Sequence, residues 1–193
     1  MKKILMAVAM ALTLGGGAAQ AALVDYAALY GGVSMDPDLK FEGVSKSMDT
    51  GYNVGGVLGW NLAPGISIGV DLMYTSSDYT CCTATLEAFS VMATGIYSFD
   101  VGSKVRPFVG IGVGGVQVSY HAPAGILTVN SGSDFRFGYE GIVGLAFPLT
   151  AKTDITLAYK YQGSSDGTIN DSDSDKVEYK SNNLSLGLVF NLN

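Results

Sequence analysis

Asp71, Arg136, Glu140 and Lys160 each fall on the less apolar row of a stretch that alternates between apolar and small or polar residues. If those stretches are strands of a closed barrel, that row faces a narrow lumen. Charges there must pair or be solvated, because an unpaired buried charge is costly. Arg136 and Glu140 are four residues apart on one strand face, about 13 Å along it, so they are not direct partners. Each needs a charge from another strand, and Lys160 and Asp71 are the candidates. Asp25 joins them if the first strand is read in the matching register. Such a set has two uses: a salt-bridge core that fixes the barrel, or a gate whose pairs exchange partners to open a water path.

Other groups that could do chemistry carry less. Gly110, Gly112 and Gly115 match G-x-G-x-x-G. A dinucleotide site, however, needs that turn to open a helix, and Val116-Gln117-Val118-Ser119-Tyr120 continues as strand. Asp171, Asp173 and Asp175, with Asp166 and Glu178 nearby, open an EF-hand pattern, yet Lys176 stands where Gly is required and Asn182 at the twelfth position. A loose divalent-ion site and a solvated acidic loop remain as readings. Cys81 and Cys82 are adjacent, with Cα atoms about 3.8 Å apart, so a strained vicinal disulfide, an intermolecular bridge and free thiols all stay open. Two Cys alone are an incomplete metal site. The single His, His121, lies beside Ser119 with no motif for a base-activated nucleophile. No catalytic residue, cofactor or metal centre is therefore expected, and the chain reads as a non-enzyme.

The elements that would position these residues have a period of two. Leu184, Leu186, Leu188, Phe190 and Leu192 oppose Asn183, Ser185, Gly187, Val189 and Asn191. The same alternation runs through residues 154–161, 134–147 and 66–75, which is the strand signal. Four further segments, 23–33, 50–61, 86–99 and 105–120, bring the expected strands to eight. In the last of these the apolar row changes face near Gly114-Gly115, where a bulge would do it. Connections alternate: short at 62–65, 100–104 and 149–153, long and polar at 35–49, 76–85, 121–133 and 162–177.

Composition narrows the setting. The chain of 193 residues has 26 Gly, 48% hydrophobic and only 15% charged residues, against about 25% charged for a soluble domain. The balance of 11 basic and 17 acidic residues, with no basic cluster, excludes nucleic acid as a partner. Residues 1–21 read as a secretory signal peptide: Lys2 and Lys3, the apolar run 4–14, then Ala19-Gln20-Ala21 as the cleavage site. Residues 22–193 are the expected single domain. Nothing after Ala22 is apolar for long enough to be a transmembrane helix, so a membrane-spanning chain must close as a barrel.

A soluble barrel would hide its apolar row inside, but the other row here, rich in Gly, Ala, Ser, Thr and Asn, is a poor coat for water. Aromatics on the apolar row gather near strand ends (Tyr52, Trp60, Tyr74, Phe89, Phe99, Phe135, Phe147, Tyr161), as in interfacial girdles. The signal peptide, the eight amphipathic strands, the alternating loops and the Gly-rich strand Arg106-Pro107-Phe108-Val109-Gly110-Ile111-Gly112-Val113-Gly114 together resemble the small outer-membrane β-barrel proteins. These include the OmpA-type transmembrane domain and the opacity-type surface proteins. The resemblance implies an all-β, eight-stranded antiparallel up-and-down transmembrane β-barrel in the cell outer membrane. It implies a monomer in contact with outer-membrane lipid and lipopolysaccharide, inserted by the barrel-assembly machinery. By the same resemblance, loops are displayed for adhesion or for a host or surface ligand. The alternative use is a narrow gated porin-like channel, and a lipid-modifying barrel enzyme stands behind both. One departure concerns the last strand, which in the family ends on an aromatic residue read by that machinery; here Phe190 comes three residues before the end. No wall-tethering domain is expected.

Overall fold

The computed structural model describes residues 24–41, 44–47, 50–79, 84–121, 136–164, 167–168 and 176–192. Among them one sheet contains ten strands: β1 (Tyr26–Phe41), β2 (Val44–Ser47), β3 (Gly51–Ala63), β4 (Ile66–Tyr79), β5 (Ala84–Ser98), β6 (Arg106–His121), β7 (Arg136–Pro148), β8 (Thr153–Ser164), β9 (Gly167–Thr168) and β10 (Lys176–Asn191). Eight are long staves; β2 and β9 are short returns paired to β1 and β10. Every stave is antiparallel to its neighbours. The first also pairs with the last, from Tyr26 opposite Asn191 to Phe41 opposite Val177, which closes the sheet. The expected eight-stranded up-and-down barrel is the fold found. Cys81, Cys82, Asp166, Asp171, Asp173, Asp175, Phe135 and the signal segment 1–21 lie outside the described residues.

The wall is sorted as the alternation requires. Leu184, Leu186, Leu188, Phe190 and Leu192 are exposed outward, while Tyr179, Ser181, Asn183, Ser185 and Gly187 are buried inward. The outward apolar row from Leu184 to Leu192, the last just past the end of β10, spans nine residues, which matches the roughly 9–11 that a tilted membrane strand needs. Aromatics collect at both rims. Tyr52 and Tyr74, and Tyr139 and Tyr161, sit at 6.3 Å between centroids toward the long loops; Tyr97 and Phe99 meet edge-on at 4.8 Å near the short turns. Two of those turns use glycine with positive φ, Gly65 at 77° and Gly102 at 67°.

Three details differ from the sequence reading. The staves run further toward the long loops than expected: β1 reaches Phe41, β4 reaches Tyr79, and β10 begins at Lys176. Backbone pairing continues there without an apolar face to mark it. No bulge interrupts β6 at Gly114-Gly115, which pair in continuous register with Met92 and Val91. Val116 and Val118 keep the inward row and join Ala88, Met92 and Tyr179 in an apolar layer inside the barrel. Asp25 is one residue out of phase with the inward row of Tyr26, Ala28 and Tyr30; its carboxylate accepts the Asn61 N–H at 2.8 Å at the short-turn rim.

An inward glycine, having no side chain, could leave space in the lumen. Instead these glycines receive large neighbours. A Cβ on Gly55 would fall 2.5 Å from Cζ of Tyr30, and one on Gly138 would fall 2.5 Å from Val116 and 2.6 Å from Met92. Gly32 is stricter still, since its Cβ would meet the backbone of the closing strand, 2.6 Å from Cα of Ser185. Gly95 faces outward, with nothing within 4 Å. Gly32→Ala is therefore expected to destabilise the barrel by about 1–3 kcal/mol through overpacking at the seam. Gly95→Ala should be neutral or slightly stabilising. The midpoint of the heat-dependent gel shift of the folded barrel checks this, and equal midpoints would remove the seam argument.

Candidate functional site

The inward rows of β4 and β8 bring two of the four sequence-singled charges into contact. Lys160 Nζ pairs with Asp71 Oδ2, with side chains 6% and 2% exposed. Tyr30, from β1, donates its hydroxyl to the other carboxylate oxygen, Oδ1, at 2.5 Å. The Lys160 ammonium also stands 3.9 Å from the centroid of the Tyr30 ring, a cation–π distance. Gly55, opposite Tyr30 in the β1–β3 register, is what lets that ring lie across the wall toward β4. Both Asp71 oxygens are thus occupied, and the ammonium has a counter-ion on one side and a π-face on another.

Glu140 is on the inward row of β7, 3% exposed, and interacts electrostatically with both Asp71 and Lys160. Its two carboxylate oxygens accept no hydrogen bond from the described residues. Arg136 shares its row and begins β7 at the loop end, opposite Val116. Sequence spacing alone did not single out Tyr30, although its inward parity with Tyr26 and Ala28 is readable. It also missed a second pair, Arg106 Nη2 to Asp154 Oδ2 at 2.5 Å, with side chains 47% and 10% exposed. That pair lies at the short-turn end of β6 and β8 and is screened by water.

Toward the loops the lumen is lined by hydrogen-bonded polar side chains. Gln162 Nε2 donates to Ser90 Oγ at 3.0 Å, and Ser185 Oγ donates to Asn53 Oδ1 at 2.7 Å. Asn53 Nδ2 donates to the Val33 carbonyl at 2.9 Å, and the Ser34 and Ser181 hydroxyls meet at 2.9 Å. Tyr179, Met73, Met92 and Val116 are fully buried among them. Toward the turns lies a cavity of about 80 Å³, roofed by Lys160, Asp71 and Tyr30 and walled by Phe108, Ile142 and Tyr26. Among the described residues no three of His, Cys, Asp and Glu gather as a metal site. The glycines Gly110, Gly112 and Gly115 lie within one uninterrupted strand, with no helix start to hold a phosphate.

A buried ion pair is costly mainly when half of it is removed. Lys160→Met is expected to destabilise the barrel by about 3–5 kcal/mol, because it leaves Asp71 charged without its counter-ion. Lys160→Met combined with Asp71→Leu should recover most of that loss. Urea titration of the barrel folded into lipid vesicles gives both values; equal losses for the single and double variants would contradict the pairing.

The comparisons place this geometry among known proteins. A family model described as the outer membrane protein beta-barrel domain matches residues 6–191. No curated protein matches the sequence. Among solved structures, the chain is similar to Neisserial surface protein A, with TM-score 0.60 and 18% identity, covering 86% of this chain and 97% of that one. It is also similar to the outer membrane protein OprG from Pseudomonas aeruginosa, with TM-score 0.49 and 14% identity over 86% and 96% of the two chains. A third is Ail, the attachment invasion locus protein of Yersinia pestis, with TM-score 0.49 and 14% identity over 87% and 100%. With the closed antiparallel barrel, its lipid-facing apolar wall and the match over nearly the whole chain, the protein belongs to the outer membrane protein beta-barrel domain family and resides in the cell outer membrane.

Proposed function

We propose that this barrel is a structural, surface-displaying protein: its lumen is plugged, and its long outer loops are offered for adhesion or for a host or surface ligand. The observation that carries the reading is the packing of the outer half of the lumen, where Tyr179, Met73, Met92, Gln162, Val116 and Asn183 are fully buried. A plugged lumen leaves the loops as the part of the molecule able to meet a partner. On this reading the barrel acts as a monomer in outer-membrane lipid and lipopolysaccharide, depends on the barrel-assembly machinery for insertion, and performs no catalysis. The polar, long connections suit recognition by surface shape, which no short motif encodes.

A gated narrow channel is the second reading. It is favoured by the cavity on the short-turn side of the Asp71–Lys160 pair and by the Glu140 carboxylate, which has no hydrogen-bond partner among the described residues. Single-channel recording separates the two. The wild-type barrel in a planar bilayer is expected to be silent, and Met73→Ala, Met92→Ala and Tyr179→Ala combined should introduce conductance steps. Steps from the wild type that change with Glu140→Gln would instead establish the channel. With a silent barrel, exchange of the outer loops should abolish attachment of cells bearing it to their target surface; unchanged attachment would remove the display role.

A further inference from the structure

All eight staves enclose one chamber of about 80 Å³ between the Asp71–Lys160 pair and the short turns. Its walls are apolar: Val57 of β3, Ile96 of β5, Phe108 of β6, Ile142 of β7 and Val189 of β10. Most of its polar lining groups are engaged elsewhere. Lys160 and Tyr30 hold the two Asp71 oxygens, Thr94 Oγ1 donates to the Gly69 carbonyl at 3.3 Å, and Ser185 Oγ donates to Asn53. Tyr26 is different. It lines the chamber, is 8% exposed, and its buried hydroxyl has no hydrogen-bond partner among the described residues. Its ring lies over Gly59, where a Cβ would fall 2.2 Å from Cζ, and its hydroxyl stands 3.3 Å from the Cβ position of Gly69 on β4. The Ser67 hydroxyl is close by on β4 without closing a bond to it. Two glycines thus make room for a tyrosine whose oxygen is left unsatisfied, which is costly.

Size and lining decide what fits. An apolar cavity of about 150 Å³ takes a benzene ring, so one of about half that volume takes roughly three to five non-hydrogen atoms. A charged group would give up its hydration against Phe108, Ile142 and Val189, and the charges of Asp71 and Lys160 already neutralise each other. Each water molecule needs several polar partners and finds few against these walls. An empty chamber would leave the walls without contacts and the Tyr26 hydroxyl without a partner. A small molecule with an apolar body and one oxygen meets both needs.

We propose that the chamber binds one small uncharged molecule of the short-chain alcohol or ketone class, with its oxygen on the Tyr26 hydroxyl and its carbon chain against Ile96, Phe108 and Ile142. Toward the long loops stand the Asp71–Lys160 contact and the apolar layer of Met92, Val116 and Tyr179, so the molecule enters from the short-turn end. The site is independent of whether the lumen conducts, because a molecule bound from one end needs no path to the other.

The test uses the folded barrel in deuterated micelles, with labelled isoleucine methyls, titrated with 1-propanol. The Ile96 and Ile142 methyls are expected to shift saturably, with a dissociation constant of about 1 mM, the strength so few atoms allow. Ile68 and Ile111, exposed on the lipid face, should follow only the linear drift of propanol in the micelle. Propylammonium and propionate should give no saturable shift. Tyr26→Phe keeps the ring but loses the hydroxyl, and should weaken binding about tenfold. Ala158→Leu fills the chamber and should abolish binding; Ala28→Val serves in its place if that variant fails to fold. Shifts at Ile96 and Ile142 no larger than those at Ile68 and Ile111 would overturn the site. So would unchanged affinity in Tyr26→Phe, the result expected if Ser67 turns to supply the missing bond, or water cross-peaks at the two inward methyls that persist with propanol.

Discussion

In lipid there is no water to hydrogen-bond an exposed N–H or C=O, so every backbone group must find its partner inside the protein. For a chain of strands this is met only by closure. Here the closing ladder between β1 and β10 runs from Tyr26 opposite Asn191 to Phe41 opposite Val177, with one register shift between Met35 and Asp38. Once the sheet is closed, one face of each strand belongs to lipid and the other to the lumen. The apolar residues must take the larger, outer surface, and the polar ones become the interior. The usual sorting of a soluble protein is inverted without any change in its physical cause.

An eight-stave lumen is just wide enough to be filled by side chains. This barrel fills it by setting large residues against glycines on facing positions, as Tyr30 does over Gly55 and Phe108 over Gly144. Packing of that kind gains dispersion contacts in the way a soluble core does. The polar members are held by short networks, with Asn53 joining Val33, Asn183 and Ser185. Toward the loops the lining turns apolar at Ala88, Met92, Val116 and Tyr179. The interior is therefore graded along its axis: cavity-bearing toward the short turns, close-packed toward the long loops, where polar networks and the apolar layer meet.

Most of the wall was legible in the sequence because lipid leaves one side of each strand no choice. The rows through Leu184 to Leu192 and Ile66 to Tyr74 face outward as alternation requires. The lumen was less legible, because its residues are chosen by neighbours on other strands. Val116 and Val118 read as a change of face, yet they point inward because Met92 and Tyr179 are there to receive them. Tyr30 looked like one more aromatic until Gly55, Asp71 and Lys160 were placed around it. Glu140 was visible as an inward charge, but its facing Gln162 is a matter of β7–β8 register, and its lack of a donor depends on Gly112 from a third strand. The ends of β1, β4 and β10 were hidden for another reason: beyond the membrane both faces are polar, so pairing goes on without a hydrophobic trace.

The buried charges also explain how the register is held. A slip of one residue between antiparallel strands would turn a whole strand inside out. Leu72 would enter the lumen and Asp71 would face lipid; on β8 the same slip would expose Lys160. A Lys at the bilayer midplane of a barrel costs roughly 2–4 kcal/mol, with Asp and Glu somewhat less. Small inward residues give little resistance to such a slip, since Gly, Ala, Ser and Thr are tolerated on either face. Asp71, Glu140 and Lys160 sit on three different staves, β4, β7 and β8. Each is a charge that cannot change sides, and the contact of Lys160 with Asp71 and Tyr30 ties β8 across the lumen to β4 and β1. The cluster thus sets which way those strands face, apart from any contribution it makes to net stability.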